Sequence, residues 1–158
     1  MRFLTTDYSS SETVGQYRID TERRMRIEEY QGQTGLRDLK SVAASMASDP
    51  CWSPEFHGLI DFSGAKLDLT ANDILRLALI QRLESHRTCG WLAYVATDSL
   101  TYGIIRMLGY WSRTTDRLRI FQSRAEAEEW LALNMNQVPP AFVREKAIPA
   151  ATGIRNVG

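Results

Sequence analysis

The chain has 158 residues, 44% of them hydrophobic and 24% charged, enough for one domain with its own core. Nineteen Lys and Arg balance nineteen Asp and Glu, which excludes the basic footprint of a nucleic-acid or anionic-membrane binder. Two cysteines make no disulfide scaffold, the start Met-Arg-Phe-Leu turns polar at Thr5, and the longest apolar run, Trp91 to Ala96, is too short for a bilayer, so a cytoplasmic protein with no integral membrane segment is expected.

Residues 1–13 are polar and rich in Ser and Thr, an expected flexible lead-in. Gln16 to Asp20 and Met25 to Gln31 read as an antiparallel hairpin across the polar turn Thr21–Arg24, with Gly32 and Gly35 breaking the pattern before a helix. That helix carries Leu36, Leu39, Val42, Ala43, Met46 and Ala47 at helical spacing and stops at Asp49-Pro50. A strand follows from Phe56 to Phe62, then a helix from Thr70 to His86 whose apolar surface is wider than one face needs. Deep burial or a subunit contact accounts for that width, and burial is the expectation. Trp91 to Thr97 is apolar on both parities, as in a parallel strand covered on both sides. Leu100 to Trp111 is a further helix, with Tyr110 and Trp111 expected to close a core edge, and Arg117 to Gln122 the last strand. Ser123, with Glu126 three residues on, forms a capping box for the final helix.

The order β-β-α-β-α-β-α-β-α predicts an α/β fold: a mixed sheet with a parallel core and an N-terminal antiparallel hairpin, helices packed on it through right-handed crossovers. The domain is expected over 14–133. Residues 134–158 hold three of the five prolines and no periodic face, as in an extended or disordered arm.

Ligands in open α/β sheets favour the carboxyl ends of parallel strands. Asp61, Ser63, Thr70, Thr97, Asp98, Ser99 and Tyr102 map there and form the expected ligand or partner loops. Capping is the competing account: Thr70 with Asp73 makes a capping motif, and Asp98 or Ser99 can cap the next helix. His57 and His86 map to the opposite end from Ser63, so no Ser-His-Asp triad is expected. No metal is expected either; Cys51, His57, His86 and Cys89 share the amino ends of two strands, but their spacings match no standard zinc site. Phosphate-cradling glycine motifs are missing, and no cofactor is expected.

Gly32, "SDPCW" at 48–52, "LIDFSGAKLDLTANDI" at 59–74, "YGIIRM" at 102–107 and "IFQSRAEAEEWL" at 120–131 occur in an order that resembles the SpoIIAA-like, STAS-type domains of bacteria. The similarity covers roughly 14–133. It implies a fold related to CRAL-TRIO lipid-transfer domains and a signalling role. In STAS antagonists an Asp-x-Ser-Gly loop leads to a serine phosphorylated at a helix start. Asp61 to Gly64 fit that loop, Thr70 falls at the phosphorylated position, and Leu69 and Asn72 depart from the usual aspartate and glycine.

The expectation is a non-enzymatic regulatory or interaction module, homodimeric, acting on a protein partner or small ligand through those loops. A carrier or sensor of a lipid or other small apolar molecule is the alternative. An enzyme using Asp61 and Asp98 as paired carboxylates is the third reading and requires one raised pKa.

Overall fold

The computed structural model describes residues 14–84, 89–137 and 139. The lead-in at 1–13, His86 and nearly all of the C-terminal arm lie outside the described residues. Nine elements follow in chain order: β1 (Gly15–Asp20), β2 (Met25–Gly35), α1 (Leu36–Ala47), β3 (His57–Asp68), α2 (Ala71–Glu84), β4 (Leu92–Val95), α3 (Ser99–Ser112), β5 (Leu118–Phe121) and α4 (Arg124–Asn134). The sheet order is β1-β2-β3-β4-β5; β1 runs antiparallel to β2 and every other pair is parallel. This is the mixed α/β architecture expected from the sequence.

The parallel strands are added in one direction, so right-handed crossovers put α1, α2 and α3 on the same face. Among the described helices, α4, after the last strand, covers the other. Strand alternation divides the core accordingly. Ile60, Phe62, Leu92, Tyr94 and Ala96 pack with Val42, Ile74, Ala78, Ile104, Ile105 and Leu108. Met25, Ile27, Leu59, Ala93 and Val95 pack with Ala127 and Leu131 of α4.

Two strands run past their expected ends. β2 continues through Gly32, which takes φ +70, and Gln31 to Gly35 pair in parallel with Gly64 to Asp68 of β3. Ala65 and Leu67 are buried while Gly64, Lys66 and Asp68 are exposed, a period-two pattern that the glycines conceal. Glu29 pairs with Asp61 and Gln31 with Gly64, so two residues of β3 oppose the single Tyr30. That is a β-bulge. The Ser63 backbone N–H donates to Asp61 Oδ1 at 2.9 Å, giving a partner to a donor at the bulge.

At the amino ends of the strands His57 is buried, and its Nδ1 accepts the Trp91 backbone N–H at 2.9 Å. Burial, reinforced by the Arg24 charge, lowers its pKa below the ordinary 6.5; a backbone hydrogen bond at Met135 opposes them. The unfolded chain therefore takes up the proton first as pH falls. The His57 contribution to stability is complete above about pH 6.5 and lost as pH falls below it. We expect the melting temperature to drop between about pH 7 and 5, and the drop to flatten in His57→Gln. An equal slope in the variant would rule out His57 as its source.

Candidate functional site

The sequence-selected residues divide into three places. Asp61 lies in mid-strand rather than at a strand end, because β3 continues to Asp68. Its register partners, Glu29 on β2 and Val95 on β4, put it level with the carboxyl end of β4. Glu29 and Asp61 face α4, and Arg124, the first residue of that helix, reaches back to both. Its Nη1 pairs with Glu29 Oε1 and stands 3.6 Å from Asp61 Oδ2, while its Nε donates to Glu128 Oε1 at 3.2 Å. The Arg124 bond, with help from Gln16, holds the Glu29 carboxyl below its ordinary range. The same bond raises the Arg124 pKa. Three carboxylates around one guanidinium fix the start of α4 against β2 and β3. Ser63 is exposed in the bulge and is tied to this network by its backbone N–H, which Asp61 Oδ1 accepts.

Thr70 lies beyond the long β3 extension, at the start of α2. Its N–H donates to Asp73 Oδ2 at 2.9 Å, and its Oγ1 accepts the Asp73 N–H at 3.2 Å. This is the reciprocal capping box expected from the sequence. A phosphate on Thr70 would meet the Asp73 carboxylate, which already occupies the helix start. Thr70→Ala is expected to cost about 1 kcal/mol in chemical denaturation. No change in the midpoint would mean that the cap carries no stability.

The third place is the entrance to α3. Asp98 Oδ1 accepts the Thr101 N–H and Oδ2 accepts the Thr101 hydroxyl, both at 2.8 Å. These bonds lower the Asp98 pKa. The paired-carboxylate reading needed a raised value, so Asp98 does not support it. Thr97 and Ser99 are exposed on either side of Asp98, and Arg106 stands 6.0 Å from the centre of the half-exposed Tyr102 ring. Thr97, Asp98, Ser99 and Tyr102 thus stay together, just beyond Val95, the β4 register partner of Asp61.

The His57 Nδ1 lone pair is taken by the Trp91 N–H. Cys51 is exposed, Cys89 is half-buried, and no group of three or more His, Cys, Asp or Glu among the described residues is placed to hold an ion. No helix among those residues is long and apolar enough to cross a membrane.

The sequence shows the width of the α2 apolar surface, but burial, the expected reason for it, is not what the structure has. Ile74 and Ala78 face the core, but Leu75, Leu79 and Leu83 are 44%, 48% and 79% exposed. They recur every fourth residue along the helix. Tyr110 on α3 is 73% exposed instead of closing the core edge, while Trp111 packs partly against the core. Between the two helices lies a groove of about 510 Å³, lined by Leu75, Leu79, Arg82, Tyr110, Trp111 and Arg113 among others. Its sequence signal was a second apolar stripe beside the one that packs on the core.

The fold is similar to that of a solved structure, an uncharacterised DUF3478-family protein with a SpoIIAA-like fold from Shewanella loihica PV-4. The match has a TM-score of 0.52 and 18% identity over 74% of this chain and 93% of that one. No family model and no curated protein matches the sequence. The likeness shows a shared fold.

Proposed function

We propose that this SpoIIAA-like domain is a non-enzymatic regulatory module that acts by protein contact through the outer face of α2 and α3. The exposed stripe Leu75, Leu79 and Leu83, beside Tyr110, carries the reading. Contiguous apolar surface of this kind is left open mainly where a partner covers it. Of the loop residues, Thr70 and Asp98 are engaged in capping and Asp61 in ion pairing. A carrier of a small apolar molecule is less well supported, because the groove opens outward between two helices rather than beneath one. Homodimerisation through this face would bury the stripe as well.

The double variant Leu79→Glu, Leu83→Glu tests the proposal. It is expected to melt within about 2 °C of the wild type, as exposed substitutions do. It should also lose every protein association that depends on this face. A variant that unfolds, or one that associates as the wild type does, would count against the reading.

A further inference from the structure

Resting on the protein-contact reading, we infer that the α2–α3 groove receives an amphipathic helical segment of a partner protein, with carboxylates flanking its apolar stripe. The shape favours a helix. Leu75 and Leu79 line the α2 side of the groove and Leu83 continues their row one turn beyond it, about 12 Å in all at the helical rise, while Tyr110 and Trp111 stand across the groove. Helix-in-groove recognition uses apolar anchors at this one-turn spacing. The openness disfavours a small molecule. A ligand pocket encloses most of its occupant, whereas Tyr110 on the groove wall is largely exposed. A helix brings its own polar outer face and needs no roof.

Charge sets the flanks. The whole chain is neutral, yet the groove wall places Arg82 and Arg113 against the single acid Asp116. Arg113 has no hydrogen-bond or ion-pair partner for its side chain among the described residues. It occupies the C-cap of α3 at φ 60, ψ 38, a left-handed position that favours glycine. An arginine at this position puts a guanidinium at the rim of the groove, where it can pair with a carboxylate.

Two fluorescent synthetic peptides sharing one leucine stripe, one with glutamate flanks and one with lysine flanks, test the inference on the full chain by anisotropy. The glutamate peptide is expected to bind about tenfold more tightly. That preference should shrink with added salt and reverse in Arg113→Glu, and Leu79→Glu should abolish binding of both peptides. Circular dichroism establishes that each variant is folded. Equal binding of the two peptides, still lost in Leu79→Glu, would overturn the acidic partner and leave the contact surface standing. Binding of laurate but of neither peptide would overturn the inference in favour of a small amphiphile. A dimer in sedimentation that dissociates in Leu79→Glu and persists in Arg113→Glu would assign the groove to a second copy. Binding of neither peptide, with no effect of Leu79→Glu on any association, would remove the inference and the contact reading together.

Discussion

Gly90→Ala is expected to destabilise the domain by about 3 kcal/mol or more, through overpacking against backbone. A Cβ at this position would stand 2.3 Å from the Phe56 carbonyl oxygen, 2.7 Å from its carbon and 2.9 Å from His57 Cα. Those atoms cannot move aside cheaply. The His57 N–H donates to the Arg24 carbonyl and the Gly58 N–H to the Trp91 carbonyl, each at 2.8 Å, which fixes the entry to β3. The Gly90 carbonyl also accepts from Arg117 Nη1 at 2.8 Å, tying the approaches to β4 and β5 together. Gly103 is the control: it lies within α3 with no neighbouring atom within 4 Å of the position a Cβ would take. Gly103→Ala should stabilise by up to about 1 kcal/mol, from helix propensity alone. Thermal melts of the two variants decide the matter. A Gly90→Ala protein melting with the wild type would mean that β3 and β4 do not approach as closely as described.

Leu59→Ala should cost about 2–5 kcal/mol, the range for truncating a fully buried leucine. Leu59 is 0% exposed in the centre of the sheet, packed beneath α4. Leu79→Ala, at 48% exposure, should stay within about 0.5 kcal/mol. The contrast separates core leucines from surface leucines that hydrophobicity alone treats as equal. Urea titration measures both variants. Similar losses would place Leu79 in the core and leave α2 without a free apolar stripe.

The order of elements was legible because each leaves a local trace. The helix periods, the Ser123 cap and the Thr70–Asp73 box all lie within a few residues of the feature they define. The far ends of β2 and β3 were not. Gly32 and Gly64 read as breakers, and only the pairing of Gln31–Gly35 with Gly64–Asp68 makes strand of them. The Arg124 network was hidden for another reason. Its Glu29 partner lies 95 residues away, and their meeting follows from α4 crossing to the far face of the sheet. On α2 the sequence displayed two apolar stripes. Periodicity cannot say which one meets the core, and the docking of α2 beside α3 decides it.

The most direct test is a photo-crosslinking amino acid at position 79, in cells expressing the full chain, with the same substitution at Glu129 on the opposite side. Glu129 is an exposed residue of α4. The account predicts covalent protein adducts from position 79, lost when Leu75 and Leu83 are changed to glutamate, and none of those adducts from position 129. No adduct from position 79, or the same adducts from both positions, would contradict a docking surface on α2 and α3.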